Sequence, residues 1–343
     1  MTDKKIFMTD LMISRIPGLK GEEGIMLSAE FRNDRDHRLF NKKDIEYILG
    51  RSLGDAAVED AALESGRRKV SGKKSPINFD TIRKKAEKDI ELCQKLGIKI
   101  CSWFDNDYPP LLREIYDPPL LLFYRGKMMN TESPLLAIVG TRKPSSFAAS
   151  RAYELSKDMG HAGINVVSGL ALGIDAMAHK GNLDAGAATI AVLGSSPDMI
   201  YPAANRELAR RILETGGIII SEYPPGTGPR KWTFPLRNRI ISALSRGVVI
   251  IEAPEKSGAL ITSRYALEQN RDLFVHSCGI NSPKGAGTGH LAEEGAKIIS
   301  SASDILSEWK LSENDLPKQI NIYHDKTGTG LASSLADYLN IKV

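Results

Sequence analysis

Leu135-Leu136-Ala137-Ile138-Val139-Gly140-Thr141-Arg142-Lys143-Pro144-Ser145 is an apolar run that breaks at a glycine and continues into small, charged and hydroxylated residues. An apolar run without polar alternation suits a strand covered on both faces, and the glycine suits a tight turn. A helical stretch is expected next, near 146–160, and the same rhythm repeats down the chain. Further strands are expected at 164–167, 189–193, 218–220, 248–251 and 273–276. Helices are expected between them, near 174–185, 204–215, 238–245 and 260–270. Short apolar strands alternating with helices define an α/β fold with a mostly parallel sheet and helices on both faces. Ligand-facing residues then belong to the loops at the carboxyl ends of the strands.

Upstream of this region the pattern differs. Residues 1–66 read as helices, broken by Ile16-Pro17-Gly18-Leu19-Lys20-Gly21. Such a turn either joins two helices or seats a nucleic-acid backbone on its N–H groups. Arg67-Arg68-Lys69 to Lys73-Lys74, closed by Ser75-Pro76, reads as a basic linker. A helix at 79–96 and short strands at 98–103 and 120–124 follow. Between those strands, Tyr108-Pro109-Pro110 and Asp117-Pro118-Pro119 are turns, because proline pins φ and pushes its predecessor out of the α region. After Glu308 the chain is polar, with an amphipathic helix expected at 331–339. The expected organisation is a small helical domain at 1–75, a large α/β domain at 76–308, and a short tail at 309–343 that is not a full winged helix.

The bulk composition fits a globular, soluble protein: 343 residues, 42% hydrophobic and 26% charged, with a formal net charge of +4. That charge permits a nucleic-acid face without requiring one. Cys93, Cys101 and Cys278 lack CxxC spacing and give no disulfide framework. His161, His179, His276 and His290 do not cluster with cysteines at ligand spacing, so no metal is expected. The chain start lacks an apolar h-region and no run is long enough to cross a membrane, so a cytoplasmic location is expected.

Four loops carry the candidate chemistry. In the first, Gly140 permits the turn, while Thr141, Arg142 and Ser145 offer donors to a phosphate. The reading stays open between an anion site and a structural turn, since neither GxGxxG nor a Walker Gly-Lys-Ser/Thr is present. In the second, Ser168, Gly169 and Gly173 allow close backbone approach to a ligand, and a helix N-terminus follows. Asp175 and His179 share a helix face there, and a structural pair explains them without catalysis.

The third loop runs Arg230-Lys231-Trp232-Thr233-Phe234 and continues to Arg237-Asn238-Arg239. Guanidinium forks match phosphate oxygens, and an aromatic ring can stack an unstacked base. A polyanion therefore suits Lys231, Phe234, Arg237, Asn238 and Arg239 better than a small metabolite. Core packing competes for both aromatics, more for Trp232 than for Phe234. The fourth loop, Ser257-Gly258 before a helix, adds small anion donors, and no nucleophile elbow surrounds Ser257.

These residues taken together resemble the DNA-processing protein A (DprA/Smf) family. The resemblance rests on Val139-Gly140-Thr141-Arg142, Ser168-Gly169 with Gly173-Ile174-Asp175, Tyr201-Pro202, Ser221-Glu222-Tyr223, the run from Phe234 to Arg239, and Ser257-Gly258 with Thr262. It covers about 105–305. It implies an extended Rossmann-like domain that binds single-stranded DNA, forms a homodimer and needs no cofactor or catalytic step. Family members load the RecA recombinase onto incoming DNA during natural transformation in competence, overcoming single-strand-binding protein. The family's DNA-contacting pattern carries onto Arg142, Lys231, Phe234, Arg237, Asn238 and Arg239, and its backbone-contact loop onto Ser168, Gly169 and Gly173.

The chain also departs from the family pattern. Leu172 stands where many members have arginine, and Ser195-Ser196 replaces a common small-glycine turn. His276-Ser277-Cys278-Gly279 replaces a usual Val/Pro-Gly ending, and the tail after Glu308 is expected to fall short of the full winged-helix domain found in many members.

Two competing readings use the same loops. A Rossmann-like nucleotide hydrolase or phosphoribohydrolase would take Glu222 or the Asp175/His179 pair as acid or base. A pure interaction protein would offer the basic cluster to an acidic partner.

Overall fold

The computed structural model describes residues 3–16, 18–32, 42–53, 77–128 and 134–311. The basic linker at 67–74 and the tail helix expected at 331–339 lie outside the described residues.

The strands are β1 Lys99–Ser102, β2 Leu121–Gly126, β3 Leu135–Val139, β4 Asn165–Ser168, β5 Ile190–Val192, β6 Ile218–Ser221, β7 Gly247–Ile250, β8 Asp272–His276 and β9 Lys297–Ile299. Among the described residues they form one sheet in the order β1-β2-β6-β5-β4-β3-β7-β8-β9. From β6 to β9 every pairing is parallel, with Leu136 opposite Val166 and Ala137 opposite Val248. Strand β2 joins antiparallel to β6 and carries β1 antiparallel at the edge. Six strands expected from 135 onward lie within two residues of their expected bounds, and β9 adds a seventh.

The helices are α1 Asp3–Ser14, α2 Gly21–Arg32, α3 Lys42–Leu49, α4 Phe79–Leu96, α5 Pro110–Arg113, α6 Ser146–His161, α7 Ile174–Asp184, α8 Arg206–Glu214, α9 Thr233–Ala243, α10 Gly258–Glu268, α11 Ser277–Ile280, α12 Ala286–Glu293 and α13 Ala302–Glu308. Their starts follow local chemistry. Ser145 accepts from the Ala148 N–H at 3.1 Å to cap α6, and Ser257 caps α10 through Ala259 N–H. Asn78 caps α4, and Gly97 closes it in the left-handed region at φ 64°.

Strand alternation sends successive side chains to opposite faces of the sheet. Leu135, Ala137 and Val139 pack with Ile240 and Ile241 of α9 and Ala259 of α10. Leu136 and Ile138 pack on the opposite face with Ala148, Ala152, Leu155 and Met159 of α6. Farther along that second face, Ala191 and Ile219 meet Leu208 and Ile212 of α8. Each fully buried aliphatic side chain in these layers contributes about 1.5–3 kcal/mol of transfer free energy.

The N-terminal helices pack as one cluster. Leu11, Met12, Leu27, Ile45, Ile82 and Ala86 bury together with Ile98, Leu121 and Phe123. Arg15, just after α1, pairs with the buried Asp89 of α4 at 2.6 Å. The division expected at 75/76 falls between α3 and α4, and residues on both sides of it feed this cluster. Asp10 accepts from Ser102 Oγ at 2.7 Å and from Ser28 Oγ, tying α1 to β1 and α2. Among the described residues no helix is long and apolar enough to cross a membrane.

Candidate functional site

The order of strand addition reverses between the parallel strands β3 and β7. From β3 the chain steps outward through β4, β5 and β6, then returns to the other side of β3 as β7. The crevice above these two strands is the expected ligand position in such sheets. Here the chain fills it with its own acid. Glu252, fully buried, accepts from Ser145 N–H at 2.8 Å, Ser145 Oγ at 2.9 Å and Ser282 Oγ. Its backbone carbonyl accepts from Thr141 N–H at 2.8 Å. A Cβ at Gly140 would sit 3.0 Å from that carbonyl and 2.6 Å from Ile174, so the turn needs glycine. The Ser145 donors expected to face a phosphate are thus engaged by an internal carboxylate, while Arg142 stays exposed.

The loop after β4 is equally self-satisfied. Ser168 Oγ donates to the Ile138 carbonyl at 2.7 Å. Asp175 Oδ2 accepts from Gly169 N–H at 3.1 Å and Ala171 N–H at 3.4 Å. Burial raises the Asp175 carboxyl above its ordinary value, opposed by the nearby Arg237 guanidinium and these two N–H bonds. Gly173 takes φ 78°, and a Cβ there would lie 2.5 Å from the Thr141 carbonyl. His179 turns away from Asp175: its Nδ1 meets Thr189 Oγ1 at 2.8 Å. Burial depresses its imidazole to about 3, helped by Arg237. A structural role explains both residues.

Helix α9 begins at Thr233, five residues before the expected start at 238. Phe234 and Arg237 therefore join Asn238 and Arg239 in its first two turns rather than lying in the preceding loop. Gly194 lies close beneath this first turn: a Cβ there would lie 3.0 Å from the Phe234 ring.

Arg237 is buried. It donates through Nη1 to the Gly169 carbonyl at 2.7 Å and to the Val192 carbonyl, and through Nε to Asn238 Oδ1 at 3.1 Å. Burial pulls its pKa down to about 10, with Asp175 opposing the fall. Arg239 is also buried and pairs with Glu222 at 2.6 Å and Asp117 at 3.2 Å. Burial alone would lower the Arg239 pKa, and these two carboxylates more than offset it, leaving it raised. Asn238 Nδ2 donates to the Gly258 carbonyl at 3.0 Å, which ties α9 to the start of α10 beside Ser257.

What stays open to solvent is a second set. Arg142 is exposed and its guanidinium lies 5.4 Å from the centroid of the Phe234 ring. Tyr201, 45% exposed, stands 5.6 Å from the same ring. These residues line a small pocket of about 50 Å³ with Gly169, Ala171, Leu172, Pro202 and Arg237. Lys143 and Lys231 are exposed nearby in sequence. Trp232, expected to favour the core, is 50% exposed and edge-on to Tyr223 at 6.3 Å. It sits at the N-cap position of α9, ahead of the buried Thr233, and so precedes the face that packs inward.

Of the expected site residues, Arg142, Gly169, Phe234 and Arg237 come together at this pocket. Gly140, Thr141 and Ser145 belong to the crevice closed by Glu252, and Ser257, Gly258 and Asn238 meet on the α10 side. Tyr201, Pro202, Gly194 and Glu252 carried no assigned role in the sequence reading. The position of Tyr201 in the loop after β5 was the available signal.

Against known families, residues 99–310 match the one described as DNA recombination-mediator protein A. The chain belongs to this family. It is 45% identical over 207 residues to the protein Smf of Synechocystis sp., a match covering 59% of this chain and 52% of that one. The chain thus spans about half the length of that curated relative. It is also similar to the structure of DNA processing protein A from Streptococcus pneumoniae, at 33% identity and a TM-score of 0.68, over 88% of this chain and 97% of that chain. A second similar structure, DNA processing protein A from Helicobacter pylori, was solved for its single-stranded DNA binding mode. That match has 31% identity and a TM-score of 0.56, covering 62% of this chain and 95% of that one. The extended, mostly parallel α/β sheet is the architecture of this family.

Proposed function

We propose that this protein binds single-stranded DNA at the pocket bounded by Arg142, Tyr201 and Phe234, and delivers it to a recombinase. The observation that carries the reading is the exposed Arg142 guanidinium held against the Phe234 ring, with Tyr201 beside it. A cation at an aromatic platform suits a phosphate next to a stacked base. The single-strand binding named for the Helicobacter pylori relative supports it. In this reading Arg142, Lys143 and Lys231 hold phosphates. Arg237 closes the back of the pocket while clamping the Gly169 carbonyl after β4 and the Val192 carbonyl at the end of β5. Arg239, paired with Glu222 and Asp117, sets the position of α9. Family membership supports RecA as the recombinase, single-strand-binding protein as the competitor, a homodimer as the working form and the cytoplasm as the place.

The nucleotide-enzyme reading is the weaker one. Its crevice is filled by the Glu252 carboxylate, Glu222 is bound to Arg239, and Asp175 and His179 face different partners. The deciding measurement is equilibrium binding to a labelled oligothymidylate against the matching duplex, at two salt concentrations. The expected result is preference for the single strand with affinity that falls as salt rises. No preference, together with turnover of a nucleotide, would move the assignment to the enzyme.

A further inference from the structure

A second depression lies next to the pocket. It is a groove of about 360 Å³ lined by Arg125, Ile200, Arg206, Ala209, Arg210, Leu213, Glu214 and Ile219. It opens on one face of the sheet between β2 and α8. Arg125 stands opposite Ile219 in the β2–β6 register, so both side chains share the face that α8 covers. Along β2 that same face carries Phe123, which is buried in the α1–α4 cluster. The groove is therefore the interval between that cluster and α8.

Its lining is divided by chemistry. Ile200, Ala209, Leu213 and Ile219 make an apolar floor, and three arginines stand around it. Arg210 is neutralised by Glu207 and Glu214. Arg125 and Arg206 have no hydrogen-bond or ion-pair partner among the described residues. An apolar floor beside two uncompensated guanidinium groups suits a base and its flanking phosphates.

The groove and the pocket share a wall. Ile200 lines the groove, and the next two residues, Tyr201 and Pro202, line the pocket. Asn205, one residue before Arg206, donates to the Leu170 carbonyl at 2.8 Å and the Ala171 carbonyl at 3.1 Å. Those carbonyls belong to the loop that forms the pocket's other side. The N-terminus of α8, where Arg206 stands, is thus fastened to the pocket rim.

We propose that this groove is a second nucleotide subsite, in which Arg125 and Arg206 take the phosphates of the same single strand as it leaves the Arg142–Phe234 pocket. The inference rests on the single-strand reading above. It predicts that binding strength depends on strand length through these two arginines. The test compares Arg125→Ala/Arg206→Ala with the wild-type protein on two probes: an oligothymidylate of about four nucleotides and one of about twenty. The double variant should bind the short strand as the wild type does. It should bind the long strand more weakly, with the slope of log affinity against log salt flattened by about 1.4 for two lost phosphate contacts. Arg142→Ala should weaken both probes. An unchanged long-strand affinity and slope, or an equal loss on both probes, would overturn the subsite while leaving the pocket standing. A wild-type protein that binds neither probe would instead remove the single-strand reading itself, and the subsite with it.

Discussion

Arg237 Nη1 lies 2.7 Å from the Gly169 carbonyl oxygen, so the first turns of α9 are fastened to the loop after β4. The same nitrogen reaches the Val192 carbonyl at the end of β5. One guanidinium thus holds three elements at the carboxyl edge of the sheet. Gly169 is required beneath it, because a Cβ there would lie 2.4–2.5 Å from the guanidinium atoms.

Arg237→Ala should therefore act on stability as well as on binding. It strands two buried carbonyls, each costing about 1–3 kcal/mol when left unpaired. Urea unfolding should show a lower midpoint with an unchanged slope, and Arg237→Lys should recover only part of it. Arg142→Ala, at an exposed position, should leave the midpoint within about 0.5 kcal/mol of wild type. A wild-type midpoint for Arg237→Ala would show that the clamp bears no load.

The ring beneath Arg142 supports a binding prediction with a different signature. Phe234→Ala should weaken oligothymidylate binding by about 1–3 kcal/mol, the usual worth of one base–aromatic stack. Phe234→Trp should retain most of the affinity, since every base offers a π-face to either ring. Arg142→Ala should instead flatten the salt dependence, because it removes a phosphate contact. Titration at two salt concentrations separates the two effects. If Phe234→Ala changed only the salt slope, the stacking role would be wrong.

The sequence made the large domain legible because strand and helix periods are local properties. The run 135–139, its glycine turn and the helix capped by Ser145 follow from neighbouring residues alone. Long-range pairing was not legible. Nothing local tells Arg239 that its carboxylates are Glu222 and Asp117, separated from it by 17 and 122 residues. For that reason a run of Arg-Asn-Arg reads as a phosphate cluster, while the fold buries both arginines. The crevice shows the same limit, since Ser145 and Glu252 are 107 residues apart. Arg142 and Phe234 were each identifiable by residue type, but their stacking was not.

The Glu252 cradle predicts a gain of function in a ligand-free setting. Glu252→Ala leaves the Ser145 N–H, Ser145 Oγ and Ser282 Oγ without their acceptor, which should cost about 1–3 kcal/mol of stability for each donor that stays unpaired. Two of the three vacated donors belong to Ser145, the N-cap of α6, where an anion is favoured. Inorganic phosphate should then raise the thermal midpoint of the variant more than that of the wild type, as binding to the folded state alone requires. Equal shifts for both proteins would mean that phosphate acts elsewhere.

The buried imidazole of His179 gives stability a defined pH dependence. In the unfolded chain it titrates near the ordinary value of 6.5, whereas in the fold it stays neutral down to about 3. Between those values the unfolded state binds the extra proton, so stability rises with pH across that window. The contribution is fully present above 6.5 and is lost as the pH falls towards 3. At pH 5 the loss amounts to about 2 kcal/mol for this one buried group. Asp175 works in the opposite sense, because its raised carboxyl lets the folded state keep a proton that the unfolded state releases. His276, also depressed by burial, adds to the His179 trend. Comparing urea midpoints of wild type and His179→Leu at pH 5 and pH 8 isolates the term, since Asp175 and His276 are common to both. The variant should lose less stability on acidification than the wild type. Parallel losses would show that His179 is already protonated in the fold at pH 5, or that its titration is the same folded and unfolded.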